Sequence, residues 1–461
     1  MKRIAFATLI VALIVAGDVG FLEAIDSGGP KIAPVSRGTG SAGLPIRTKM
    51  NVNSISSWYD ADGTEEINSS TGNSGLTYPQ GTAGAIFTAG LMWTGEFNDG
   101  QTPIIRTNGH SYNTGLARGA ILGTRTGLVE DPAADDVRIW RVRRGYASAD
   151  LRRDAAELNS TAIANVSDGQ IAAVRAQYEK DWLEWPAAKG APFYDADSDG
   201  VYTPMIVNGA PVLFPDADEP GIADADQVIW YTANDIGRSS PWGSTPAAGM
   251  EMQLTIWGYA RTDALGHVLF KKYRVIYKGT GSTPANANIT NMYLAQWSDP
   301  DLGAFADDFA GCDTTLSLGY CYNGSSVDAQ YSGFGIPPPA VGYDFLQGPL
   351  VPGVAGQDIN KNGIDDAVDT GIFDLKVTAP GQINLPMTAF IYFAAGGRYS
   401  DPPFNYQGAL QWNCMLNGFP PTPQPPPCPV PPPDPFSGAT AGSFWMYDKS
   451  DGTSAPDPNN P

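Results

Sequence analysis

Apolar and polar positions alternate along most of this chain in runs of four to eleven residues, the period of half-buried strands. Such runs cover Asn53 to Tyr59, a pair within Ala83 to Phe97, and shorter stretches at Pro103 to Arg106 and Gly115 to Gly123. The clearest series is Gln227 to Thr232, Gly249 to Arg261, Val268 to Lys278 and Asn291 to Trp297, with a turn at Asp263 to Gly266. It reads as the centre of an antiparallel sheet. Thr314 to Tyr322, Gly371 to Val377 and Met387 to Ala395 add three more strands. A helical period occurs at Ser148 to Asn159 and again at Ser167 to Leu183. The second opens on a Ser167-x-x-Gln170 capping box and spaces Ile171, Val174, Tyr178 and Trp182 along one face. The expected fold is mainly β, an antiparallel β-sandwich architecture with a small helical insertion at 148–184 and a Pro-rich C-terminal tail.

The ends read differently. Lys2-Arg3, the apolar run Ile4 to Val15 and the small pair Ala16-Gly17 have the order of a secretory signal peptide, so 1–17 is expected to be removed. The apolar run is too short for a membrane span. Residues 18–49 lack any apolar period and read as a flexible lead-in. Order is expected over 50–400, and 401–461 as a largely disordered tail carrying a polyproline spacer from Phe419 to Pro435.

Composition narrows the class. The 461 residues include 53 Gly, 39 Pro, 20 Tyr, 18 Phe and 11 Trp, which suits short strands joined by tight turns. The net charge is −20, and the 48 acids divide into 38 Asp and 10 Glu. Asp favours turns and compact oxygen-ligand loops, whereas nucleic acids and anionic membranes are bound through Lys and Arg. No nucleic-acid partner and no membrane span after signal cleavage are expected. The one basic cluster, Arg138, Arg141, Arg143 and Arg144 within Asp136 to Tyr146, is expected to pair with carboxylates, a polyanion site being the sharper alternative.

Three Asp-rich stretches are candidate calcium loops. Asp358-x-Asn360-x-Asn362-Gly363-x-x-Asp366-x-x-Asp369 supplies oxygens at positions one, three, five, nine and twelve, with the carbonyl of Ile364 at seven; its spacing resembles the loops of dockerin and thrombospondin type 3 repeats. Asp195-x-Asp197-x-Asp199-Gly200 has the first half of that pattern, and its shell must be completed by Asp216, Asp218 or Glu219. Between Tyr293 and Gly324, the stretch around which the chain is organised, a loop carries Asp299, Asp301, Asp307, Asp308 and Asp313, whose mutual repulsion calls for a cation. The cofactor expectation is structural calcium. Four cysteines suit an oxidising compartment; sequence proximity favours Cys312–Cys321 and Cys414–Cys428 over the other pairings.

The same stretch carries a resemblance. Trp297-Ser298-Asp299-Pro300-Asp301-Leu302-Gly303, followed by Asp307-Asp308-x-x-Gly311-Cys312-Asp313-Thr314 and Leu316 to Tyr320, resembles a signature of large uncharacterised secreted proteins of Gram-negative bacteria. Many of those end in a type IX secretion sorting domain, absent here. Trp58 to Gly63, Asp195 to Tyr202, Gly249 to Gln253 and Tyr399 to Pro403 match as well. The resemblance implies a secreted or cell-surface location and no particular activity.

Catalytic motifs are scarce. His110 and His267 stand far apart, and no G-x-S-x-G, P-loop or dinucleotide fingerprint occurs. The reading is a secreted, non-enzymatic cell-surface or extracellular-matrix protein with calcium-stabilised acidic loops, its partners cell-surface polysaccharide or other surface proteins. The alternatives are a carbohydrate-binding module using exposed aromatic residues, or a carboxylate glycosidase drawing on Glu184 and Glu251.

Overall fold

The computed structural model describes residues 46–222, 224–238, 245–313, 316–360, 362–392 and 401–417, with the backbone of 6–16 and 444–445. The first half supplies β1 (Phe6–Ala16), β2 (Arg47–Met50), β3 (Ser56–Asp60), β4 (Thr88–Asn98), β5 (Ile105–Gly109), β6 (Trp140–Arg143), α1 (Arg152–Leu158) and α2 (Asp168–Leu183). The second half supplies β7 (Gln227–Asn234), β8 (Met250–Gly258), β9 (Val268–Tyr277), β10 (Asn288–Asp299), β11 (Asp308–Asp313), β12 (Leu318–Asn323), β13 (Ala340–Gln347) and α3 (Tyr406–Leu416).

The fold is mainly β and its sheets are antiparallel, as the alternation predicts, apart from one short parallel pair, Ala389–Phe390 with Phe444–Trp445. One nine-stranded sheet runs Ala117–Arg118, β7, β8, β9, β1, β13, β12, β11, with β6 paired beside β7. A second layer holds β10–β4–β5 and the group β2, β3, Leu76–Thr77 and Gly84–Ile86. Glu65 joins the two groups through bridges to Tyr59 and Ala89. Leu254, Ile256, Leu269, Tyr273 and Val275 of the large sheet share one core with Tyr59, Leu76, Leu91, Trp93 and Phe97 of the second layer. On the opposite face, Trp140, Trp230 and Trp257 form a second core with Tyr178 and Trp182 of α2. Strands β7 and β8 are therefore buried along their whole length. Covered on both faces, they need apolar residues in both phases.

The helical layer follows its sequence signals. Ser167 caps α2, and the reciprocal Gln170 contact completes the capping box. The arginines in and flanking β6 hold this layer down. Arg138 meets Asp181; Arg141 Nη2 lies 2.5 Å from Asp154; and Tyr178 Oη donates to the same Asp154 at 2.7 Å. Arg144 pairs with Glu219 at 2.6 Å and Asp224 at 3.0 Å. Arg143 reaches the other oxygen of Asp154 at 3.2 Å, so all four arginines are engaged by carboxylates.

Several boundaries differ from expectation. Strand β10 leaves the sheet of β7–β9 and pairs with β4, Trp297 opposite Gly90. Its largely half-exposed residues suit an edge, while the central place beside β9 goes to β1, which is apolar in both phases. The apolar run read as a signal peptide thus forms a strand, Leu13 opposite both Leu269 and Tyr343. Strand β2 opens at Arg47, ahead of the expected boundary at Met50. Gly371 to Val377 is not one strand but a tight hairpin, Ile372 opposite Val377, because Asp374 and Leu375 both take positive φ (53° and 63°). The expected disorder of 401–461 fails over α3, which Asn405 caps and which buries Trp412 and Met415 against Met92 and Trp297. The polyproline spacer lies outside the described residues.

Candidate metal centres

The first Asp loop is built on a short ladder. Phe193–Tyr194 pairs with Glu219–Pro220, Tyr194 opposite Glu219, and continuing that register sets Asp218 across from Asp195. Carboxylate oxygens of Asp195, Asp197 and Asp218 lie within 4.8 Å of one another. Asp218 is buried and accepts the N–H groups of Ala196 (2.8 Å) and Thr203 (2.7 Å). Burial alone would raise its pKa; those donors outweigh it and hold the carboxyl below the usual range. Asp197 is pushed above that range: the N–H of Asp199 favours its charged form, but desolvation and the charges of Asp199 and Asp218 outweigh it. Asp199 stands outside the triad with its Oδ1 on the N–H of Val201 at 2.7 Å. Of the three residues proposed to complete the shell, Asp218 takes the place. Glu219 is engaged by Arg144, and Asp216 is not in the cluster.

The second Asp loop repeats the backbone pattern of the first. Asp358 accepts the N–H groups of Asn362 (3.0 Å) and Gly363 (2.9 Å), as Asp195 accepts those of Asp199 (3.2 Å) and Gly200 (2.8 Å). Asn360 Oδ1 also takes the Asn362 N–H, and Asn362 Oδ1 that of Ile364, matching Asp197 and Asp199. The glycine at position six has φ of +79° in one loop and +86° in the other, where a Cβ would strain the turn. Asp369 closes the second loop, its Oδ2 accepting Asn360 Nδ2 at 2.8 Å and Asn362 Nδ2 at 2.9 Å. The Asn360 donor leads in holding this carboxyl below its ordinary range. Asp366, expected as the ninth-position ligand, turns inward instead, is fully buried and accepts the Ile359 N–H at 3.1 Å. Ile364 occupies position seven with an exposed side chain.

The third acidic stretch divides. Asp299, at the end of β10, accepts Tyr112 Oη at 2.9 Å, and Asp308 accepts the Leu302 N–H at 2.8 Å. Burial first, then the charges of Asp299 and Asp308, push Asp301 up to about 8. Asp308 rises to about 7, led by burial, and Asp401, beside Asp299, to about 6. Asp307 lies in the single 3-10 turn ahead of β11 and Asp313 at its far end. Of these carboxylates Asp308 is buried, Asp299 and Asp301 are half-buried, and Asp401, which local spacing did not suggest, stands at the exposed rim beside Asp299. Among the described residues their oxygens do not converge as those of Asp195, Asp197 and Asp218 do.

Other sequence-selected residues are placed elsewhere. Cys312 and Cys321 are free thiols, which corrects the expected pair. The β11–β12 register sets Cys312 opposite Gly319 and Cys321 opposite Ala310. Diagonal Cα positions on one face stand about 7–8 Å apart, beyond the reach of a relaxed disulfide. Cys414 is buried in α3, and Cys428 lies outside the described residues. Glu251 is buried and bound to Lys278 Nζ at 2.6 Å and the Ile121 N–H at 2.7 Å, whereas Glu184 is exposed at the end of α2, beside Arg138 at 3.5 Å. Nine tryptophans are buried (Trp58, Trp93, Trp140, Trp182, Trp185, Trp230, Trp257, Trp297, Trp412) and offer no stacking face. A polar cleft lined by Arg143, Arg153, Arg261 and Asp150 has no aromatic residue in its wall.

The chain matches no known family model, no curated protein and no solved structure.

Proposed function

We propose that the protein is a secreted, non-enzymatic component of a cell surface or extracellular matrix, with its acidic loops fixed by calcium. The observation that carries this reading is the shared hydrogen-bond pattern of the loops at Asp195 and Asp358. Each lines up three side-chain oxygens at alternate residues, turns at a glycine and gains a further carboxylate, Asp218 or Asp369, from outside the first six positions. Hard oxygen donors in a flexible loop suit calcium better than a transition metal. Bound calcium would offset carboxylate repulsion and stabilise the folded chain without taking part in any reaction. The secreted location draws on the leader-like sequence Lys2 to Gly17, whose apolar run pairs as β1 in the uncleaved chain, and on the likeness to secreted Gram-negative proteins.

Thermal unfolding of the full chain, in millimolar calcium and then in chelator, tests the reading. An ion at a hundred times its Kd adds about 2.7 kcal/mol per site. For a domain of this size that corresponds to a rise of about 4 °C in Tm per occupied loop. Asp218→Ala and Asp369→Ala should each remove one such increment. A Tm that ignores calcium in the wild type overturns the reading.

A further inference from the structure

Glu65, Glu66 and Lys271 are the only members of one cluster whose three charged side chains are all completely enclosed, each with a side-chain exposure of 0% among the described residues. Lys271 rises from the middle of β9 on the same face as Leu269 and Tyr273, into the core between the layers. The glutamates come from the opposite layer, just after β3. Adjacent residues in a regular strand point to opposite faces. Here Glu66 takes a left-handed φ of 59°, which brings both carboxyls to one lysine. The conformation is fixed by Glu66 N–H to Trp58 (2.7 Å) and Gly75 N–H to Glu66 (2.8 Å). A Cβ on Gly75 would lie 2.4 Å from the backbone of Glu66 and Ile67, so only glycine fits there.

The two carboxyls are not equivalent. Lys271 Nζ touches Glu66 Oε1, while Tyr343 Oη donates to Glu66 Oε2. Glu65 Oε2 accepts Lys271 Nζ at 2.8 Å, and Tyr273 Oη holds both Glu65 oxygens at 2.9 and 2.7 Å. The rings of Tyr59 and Tyr343 pack 5.6 and 5.4 Å from Nζ. An amine, a carboxyl carbon, a proton acceptor and a hydroxyl donor are thus held together in an apolar enclosure.

We propose that Lys271 and Glu66 condense into an intramolecular amide that ties the two layers of the sandwich together. Nζ passes one proton to Glu65, and the freed amine attacks Cδ of Glu66. Tyr343 stabilises the oxygen that remains, Oε2. Oε1 departs as water, carrying the proton returned by Glu65 and a second proton from the amine. One C–N bond forms, one C–O bond breaks, Glu65 is regenerated, and no oxidant or co-reactant is needed. The setting favours these steps. Burial, opposed by Lys271, pushes the Glu65 carboxyl up, so it takes a proton readily. The two carboxylates stabilise the ammonium, which makes deprotonation the uphill step, and the Nζ–Oε2 contact of 2.8 Å gives that proton a direct path to Glu65. Exchanging a buried ion pair for a neutral amide also removes two charges from a low-dielectric core.

Mass spectrometry of the folded full chain, with peptide mapping, tests the bond. The wild type should be lighter by one water than the sequence of its observed N-terminus requires, and a branched peptide should join the segments bearing Glu66 and Lys271. Lys271→Met and Glu66→Ala should show full mass. Glu65→Gln keeps both bond-forming residues and should leave them largely unjoined. Wild-type peptides recovered unbranched overturn the proposal and leave a plain buried ion pair, a result that does not depend on any variant folding. A Glu65→Gln chain that cross-links as completely as wild type overturns the role given to Glu65.

Discussion

Replacing Asp301 with Asn should stabilise the protein at neutral and alkaline pH, although it removes a residue expected to serve a metal. In the folded chain, burial and then the charges of Asp299 and Asp308 raise Asp301 to about 8. An unfolded aspartate titrates near 3.9. The folded state therefore binds more protons than the unfolded one between about pH 4 and pH 8, and its stability falls as pH rises through that window. An isolated group shifted by about four units would cost about 5 kcal/mol once ionised, at 1.36 kcal/mol per unit. Sharing of protons with Asp299, Asp308 and Asp401, together with partial contact with solvent, reduces this to about 2–4 kcal/mol. Asn matches the carboxyl in shape and never ionises, so it removes the penalty and relieves its neighbours. Denaturant unfolding of both chains in chelator at pH 4, 6 and 8 measures the effect. The variant should equal wild type at pH 4 and exceed it increasingly to pH 8. A variant no more stable at pH 8, or a gap of the same size at pH 4, refutes the reasoning. If calcium then stabilises wild type but not the variant, the cluster is a metal site in its own right.

Asp235 accepts the N–H groups of Ala248, Gly249 and Met250 at 2.8–2.9 Å in a buried turn. Asp235→Ala leaves three donors unmatched and should cost about 3–5 kcal/mol, read as a lower denaturant midpoint with unchanged slope. Ser167→Ala removes one half of the α2 capping box and should cost about 1 kcal/mol, with faster hydrogen exchange confined to the first turn of that helix. Under denaturing, non-reducing conditions the chain should take up alkylating reagent at Cys312 and Cys321. In the folded state at pH 8 both should react slowly, because burial pushes the Cys312 thiol up to about 12 and raises Cys321 as well.

What the sequence disclosed depended on the range over which each signal acts. The run from Gln227 to Lys278 alternates because its strands pair with their neighbours in the chain, so pattern and structure coincide. The Asp195 and Asp358 loops were legible for the same reason: their donors stand two residues apart. Asp218 could not be selected from Asp216 and Glu219 until the Tyr194–Glu219 pairing was known. Glu65 and Glu66 gave no signal at all, since Lys271 lies more than two hundred residues away and an adjacent acidic pair reads as solvated. The α3 helix was hidden by its Pro-rich surroundings, its buried face being defined by Met92 and Trp297 from another layer. The Cys312–Cys321 pair failed for a subtler reason: a hairpin brings both strands together, but only its register decides which residues meet.

The burial of the arginines in and beside β6 bears on the ionic strength at which this protein is at ease. With Arg138 and Arg141 only 1% and 6% exposed, part of the chain's limited positive charge is withdrawn from the surface, which leaves the exterior dominated by carboxylates. Repulsion among exposed charges is screened within about 8 Å at physiological salt and about 3 Å at 1 M. The enclosed Arg–Asp pairs that fasten α1 and α2 are shielded from that screening. Added salt should therefore relieve the acidic surface while leaving the helical layer attached, so brine strengthens this fold where it would loosen one fastened by exposed ion pairs.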